Sequence, residues 1–218
     1  MIPFKYYDIH THTQSHSDES LSVLNVHQNF EIVDNNGLYS IGLHPWYLQN
    51  AKVDFELLEG NAGKKQVLAI GECGLDKICK TDWELQLFYF RRQIQLANLF
   101  SKPLIIHCVR AFEEVIEVLN KEKVEVPVVF HGYNKNKILA QRLLSKGYYL
   151  SFGAAILKQN ASVREVIKKM PQDRLFGETD NSGNSIVDIY RCLAEIRKTE
   201  LETIILQLQN NFKSVFEQ

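Results

Sequence analysis

Seven histidines occur in the 218 residues, and two of them, His10 and His12, stand one residue apart in "YYDIHTHT". In an extended segment, residues two apart share a face. Both imidazoles could therefore offer nitrogens to one divalent ion, or simply form a polar end to a strand. The choice depends on whether the chain supplies the rest of a coordination sphere. Other ionisable residues close short apolar runs: His44 in "GLHPW", Glu72 in "IGECGLD", His107 in "LIIHCV", His131 in "VVFHGY" and Asp180 in "FGETDNS". Any one alone reads most simply as a satisfied structural residue. Burying all seven without partners would be expensive. Imidazole nitrogens and carboxylate oxygens suit zinc, manganese or iron, and a carboxylate can bridge two ions.

The runs that deliver these residues are strand-like and mostly continuous in apolar character, as in parallel strands buried on both faces. They span 5–11, 22–28, 38–44, 66–72, 103–109, 126–132, 148–154 and 173–179. Between most of them lie stripes of helical period: Leu87, Phe90, Ile94 and Ala97; Val163, Val166, Ile167 and Met170; Ile205, Leu208, Phe212 and Val215. We read each stripe as core packing. Eight strands with intervening helices predict an α/β fold, a single TIM-like (β/α)8 barrel domain over 1–218. Only "TQSHSDESL" and "NFEIVDNNG" separate the first three strands. Parallel neighbours normally need a dozen or more connecting residues, so the barrel should be trimmed or distorted there. In such barrels chemistry gathers where strands end at their C-terminal edge.

Composition excludes some partners. The formal net charge is −1, so no positive field favours tight, non-specific nucleic-acid binding. A nucleic acid could still be a substrate, because an active-site metal supplies local positive charge. "MIPFKYYDIH" has no signal-peptide pattern and no run is long enough to span a membrane. The four cysteines form no CxxC or dense framework, which predicts reduced thiols and a cytoplasmic protein without membrane association. No obligate protein partner is implied.

The segments "DIHTHT", "GLHPW", "GECGLD", "IIHCV", "VVFHGY", "YYLSFGA" and "ETD" follow the order of the signature segments of TatD-like metal-dependent hydrolases, and the chain resembles that family over nearly its whole length. "WELQLFYFRRQIQLA" and "NFKSVF" resemble two of its helical segments. The resemblance implies two divalent ions (magnesium, manganese or zinc). His10 and His12 would hold one, with Glu72 bridging to a second held by His107 and His131. Asp180 would bind the first ion and the attacking water, so Asp180 and Glu72 are the implied catalytic residues. His44 is assigned to substrate contact, or to fixing the turn before Pro45.

Three departures bear on substrate choice. The chain is shorter than the family pattern, partly between strands one and three. The polar, basic, proline-containing loop after the last aspartate is missing from "ETDNSGNSIVDIY". Where the family often has His-Ser-Arg-Asp-Ala, this chain reads His107-Cys108-Val109-Arg110-Ala111. Shifting an arginine by one helical position turns it by about 100°, so Arg110 is read as an exposed helix-start residue. Cys73 and Cys108 are read as packing thiols, Asp76 as ordering its loop by hydrogen bonding or else contacting the site, and His16 and His27 as ordinary polar residues.

The function expected from the resemblance is a metal-dependent hydrolase that cuts phosphodiesters as a deoxyribonuclease, preferably from a 3′ end, with DNA or another nucleic acid as substrate. One alternative keeps the metals and changes the bond, to the ester of D-aminoacyl-tRNA or a small-molecule amide or ester. Another is a metal-binding barrel without catalysis.

Overall fold

A computed structural model of the chain describes residues 5–13, 18–34, 36–159 and 161–217. His16 lies outside the described residues. In chain order the elements are β1 (Tyr6–Thr11), β2 (Ser20–Val26), β3 (Leu38–Ile41), α1 (Ala51–Ala62), β4 (Val67–Asp76), α2 (Trp83–Phe100), β5 (Leu104–Val109) and α3 (Phe112–Lys121). There follow β6 (Val128–Phe130), α4 (Lys137–Ser145), β7 (Tyr149–Phe152), α5 (Val163–Lys169), β8 (Leu175–Gly177), α6 (Ile186–Arg197) and α7 (Leu201–Phe216). The eight strands form one sheet in the order β1 to β8, the order of the (β/α)8 class. No helix is expected or found between β1 and β2 among the described residues, and only a 3-10 turn, Phe30–Ile32, separates β2 from β3.

The chain divides into two compact units, residues 1–24 with 129–218, and residues 25–128. In the first, β1 pairs in parallel with β2, β6 with β7, and β7 with β8. The side chains that fill this unit come from the helical stripes. Ile205, Leu208, Phe212 and Val215 of α7 are buried, and Phe212 packs on Tyr7 of β1 with ring centroids 4.5 Å apart. Each such burial contributes about 1.5–3 kcal/mol. Buried Tyr190 of α6 ties this layer to β1: its hydroxyl accepts from Tyr7 N (2.9 Å) and donates to Tyr7 O (2.9 Å).

In the second unit β3 pairs in parallel with β4, and β4 with β5. Leu104, Ile105 and Ile106 of β5 are fully buried, as a strand covered on both faces requires. Phe90, Ile94 and Ala97 of α2 are buried as their period predicts. The same helix also buries two glutamines, seven residues and about two turns apart. Gln93 accepts from Leu43 N (2.6 Å) and donates to Leu43 O (3.2 Å). Gln86 accepts from Asp76 N (2.9 Å) and donates to Asp76 O (3.2 Å). α2 thus grips the chain just after β3 and at the last residue of β4, satisfying backbone groups no ladder reaches.

Two strands carry an extra residue beside a candidate ligand. Between Asp8 and Thr11, β1 advances three residues while β2 advances two, from Ser22 to Leu24. Between Gly71 and Cys73, β4 advances two while β5 advances one, from Ile105 to Ile106, so Glu72 is the unmatched residue. Such bulges bend a strand and re-aim a side chain next to a site. Strand limits also differ from the apolar runs. β2 starts at Ser20 and ends before His27, and β3 ends at Ile41, three residues before His44. β4 runs on to Asp76, leaving Glu72 inside the strand rather than at its end.

Candidate metal centre

In the first unit, β1 delivers His10, wholly buried, and His12 follows the strand's end. Asp180 lies three residues beyond β8. Asp180 N donates to His10 O (2.9 Å), and His12 N donates to Asp180 O (3.3 Å). This reciprocal pairing holds Asp180 at φ 52°, a left-handed conformation that costs a non-glycine residue roughly 1–2 kcal/mol. Its carboxylate Oδ1 lies 3.4 Å from His12 Nε2 and 3.7 Å from His10 Nε2. The Asp180 side chain is 41% exposed, so this carboxylate reaches both the imidazoles and solvent. The His131 ring stands 4.4 Å from that of His10, centroid to centroid.

Two buried carboxylates brace this group. Asp8 Oδ1 accepts from Thr179 N (3.0 Å) and His10 N (3.4 Å), and Oδ2 accepts from the Thr179 hydroxyl (2.6 Å). Burial pushes the Asp8 carboxyl up to about 7 in spite of the Thr179 hydrogen bonds, which oppose the shift. Glu178, fully buried, accepts from Gly132 N at 2.7 Å and from the Ser151 hydroxyl. Its Oε1 lies 3.5 Å from His131 Nδ1. Carboxylates of this kind orient imidazoles and fix which nitrogen carries the proton. Neither was singled out in the sequence: Asp8 precedes the β1 bulge and Glu178 lies just past β8, so no strand alternation marks them.

In the second unit, Glu72, His107 and His44 converge, each offering one ligand atom within 4.8 Å of the others. Glu72 Oε1 lies 2.6 Å from His107 Nδ1 and 3.3 Å from His44 Nε2. The far nitrogen of His107, Nε2, lies 3.0 Å from Asp76 Oδ2. Asp76 also accepts from Trp46 Nε1 (2.6 Å) and from Ile78 N (2.8 Å). Burial would raise the Asp76 carboxyl, but its hydrogen bonds, that from Trp46 foremost, hold it below the usual range. Asp76 therefore does more than order its loop: it touches a candidate ligand directly.

The donor set fits divalent ions. With Asp76 accepting from Nε2, the neutral tautomer of His107 aims the Nδ1 lone pair at Glu72 and His44. Without an ion these atoms compete for protons; a cation satisfies the carboxylate and the imidazole together. His44 differs. Its Nδ1 accepts from Trp46 N at 3.1 Å, so in the neutral ring Nε2 carries the hydrogen and acts as a donor.

The remaining candidates are placed simply. Cys73 is fully buried, and burial pushes its thiol up. Arg110 is exposed, just before α3. His27 is stacked on Tyr47, with centroids 4.7 Å apart and planes at 17°.

Parallel strands in chain order carry imidazoles and carboxylates within, at and beyond their C-terminal halves, and each unit offers a donor set suited to divalent metal ions. The family model "TatD related DNase" matches residues 9–217. An uncharacterized metal-dependent hydrolase of Buchnera aphidicola subsp. Baizongia pistaciae is 30% identical over 197 residues, covering 83% of this chain and 74% of that protein. The uncharacterized metal-dependent hydrolase YabD of Bacillus subtilis is 30% identical over 194 residues, 81% and 76% of the two chains. The crystal structure of YjjV, a TatD homologue from Escherichia coli, superposes with TM-score 0.87 at 22% identity over 100% of both chains. The chain belongs to the TatD family of metal-dependent hydrolases, with the TIM-barrel fold of that structure.

Proposed function

We propose that the protein is a deoxyribonuclease that hydrolyses phosphodiester bonds of single-stranded DNA from the 3′ end, working in the cytoplasm. Six residues, His10, His12, Glu72, His107, His131 and Asp180, are the proposed ligands of two divalent ions. Bound there, such ions would lower the pKa of water and neutralise charge developing on a phosphoryl group.

The observation that carries the reading is Asp180. Its half-exposed carboxylate lies beside two imidazoles, where it can take the proton of a water attacking phosphorus. Asp180 then gives that proton to the ester oxygen, which leaves as a hydroxyl when the phosphorus–oxygen bond breaks. His44, whose Nε2–H is the donor end of its neutral ring, hydrogen-bonds a phosphoryl oxygen of the substrate. Asp76 and Glu178 hold His107 and His131 in orientation, and Asp8 holds the backbone at His10 and Thr179.

The test strips the protein of metal and reloads it in turn with magnesium, manganese and zinc. Release of a label from the 3′ end of single-stranded DNA is then followed for the wild type and for Asp180→Asn. Metal-dependent release that disappears in the variant supports the reading. No release from either, with bound metal confirmed, moves the substrate to an aminoacyl-tRNA or a small carbonyl ester.

A further inference from the structure

Beside Asp76 lies a groove of 690 Å³ within the second unit, lined among others by Trp46, Tyr47, Ile78, Lys80 and Leu85. Its size is that of a small-molecule site, and its wall is unusual for a surface. Trp46, Tyr47 and Ile78 are 47%, 37% and 58% exposed, although large apolar side chains gain by burial.

The aromatic wall is held in place. Trp46 Nε1 donates to Asp76, the same carboxylate oxygen that faces His107. Trp46 N donates to His44 Nδ1, and Tyr47 N donates to His44 O at 3.0 Å. His27 stacks on Tyr47. One wall of the groove is therefore built from Trp46 and Tyr47, which bond His44 directly, and Trp46 also bonds the Asp76 carboxylate that faces His107.

We propose that this groove is a nucleobase subsite, in which an unpaired base of the DNA strand stacks on Trp46 and Tyr47. This inference rests on the nuclease reading and deepens it. A flat aromatic heterocycle matches the indole and phenol faces. Such stacking is sequence-tolerant because every base has a π-face. Exposed Lys80 at the rim supplies a cation for a neighbouring phosphate. An already ordered indole loses little freedom on binding. A stacking platform also lets a chain of net charge −1 hold a strand without an extended basic surface.

The test uses the full, metal-loaded chain carrying Trp83→Phe, which leaves Trp46 as the only one of two tryptophans, and Asp180→Asn, which spares the ligand from hydrolysis. Trp46 fluorescence is titrated with a deoxyadenosine tetramer and with a fully abasic tetramer. The base-bearing strand should quench Trp46, and the abasic strand should bind roughly 5- to 150-fold more weakly, the range of one stacked base. Tyr47→Ala should weaken the base-bearing strand by a similar factor. Ile78→Asp, a change at an exposed position that puts a negative charge in the groove, should weaken it too. Equal responses to the two strands, no response to either, or a response only to an aromatic amino-acid ester would overturn the proposal.

Release of the 3′ label by chains with intact Asp180 separates the two readings. Base-dependent quenching without release keeps the subsite and rejects the nuclease. Release that ignores whether a base is present, with no quenching, does the reverse.

Discussion

Asp76→Asn tests whether the carboxylate linking Trp46 and His107 serves metal binding or merely its own loop. Three donors converge on Asp76: Trp46 Nε1 and His107 Nε2 on Oδ2, and Ile78 N on Oδ1. Asparagine has one acceptor oxygen and one NH2 group. If its oxygen faces Trp46 and His107, the NH2 opposes Ile78 N–H. If the oxygen faces Ile78, the NH2 opposes two donors. Each orientation leaves at least one buried donor without a partner, at roughly 1–3 kcal/mol. For a chain of this size that lowers the Tm by about 2–12 °C. A second effect is separate: the imidazole loses the carboxylate that fixes its tautomer, which should weaken metal affinity by about 10- to 100-fold. The assay pairs thermal melting of the metal-free protein with competition for manganese or zinc against a chelator of known strength. A variant that melts lower but binds metal like the wild type would refute the orienting role and leave Asp76 as a loop-ordering residue.

Other substitutions probe the scaffold. A Cβ at Gly74 (φ 144°) would lie 2.0 Å from His107 O, so Gly74→Ala should cost at least the roughly 1–3 kcal/mol of overpacking and weaken metal binding by displacing His107. Gly60→Ala is the control: a Cβ there meets nothing within 4 Å inside α1, and urea unfolding should show it more stable by about 0.5–1 kcal/mol. Tyr190→Phe removes the hydroxyl that serves both Tyr7 N and Tyr7 O, and urea unfolding should show a stability lower by roughly 1–3 kcal/mol. Saturating manganese or zinc at about 100 times its Kd should stabilise the wild type by about 2.7 kcal/mol; Asp180→Asn should lose part of that gain in the same melting experiment.

Apolar runs and helical stripes were enough to read the strand order and three of the seven helices, α2, α5 and α7, because burial on both faces leaves long continuous runs that survive any local detail. They missed what polar side chains do inside. Gln86 and Gln93 sit on α2 four residues before and three after Phe90, on its buried face, and what composition did not show is that their amides bind backbone past the strands. β4 continues to Asp76 because it stays paired with β5 as far as Val109, with Gln86 satisfying the N–H and C=O of Asp76; an apolar count sees no reason to extend a strand through "CGLD". The bulges at His10 and Glu72 were equally invisible. Register is a property of two strands together, and neither carries a mark of its partner's residue count.

The six residues proposed as ligands were legible for the opposite reason: each interrupts or closes an apolar run with a group that is costly to bury. Their supports were not. Asp8, Asp76 and Glu178 look like ordinary carboxylates in sequence, and only their partners distinguish them. Thr179, Gly132, Ser151, Trp46 and Ile78 all spend polar hydrogens on these three acids. An acid given that many donors is held in one place: Asp76 holds the His107 imidazole by a hydrogen bond, Glu178 stands 3.5 Å from His131 Nδ1, and Asp8 fixes the backbone at His10 and Thr179. Precision at the candidate centre therefore depends on residues that a search for metal-ligand types would pass over.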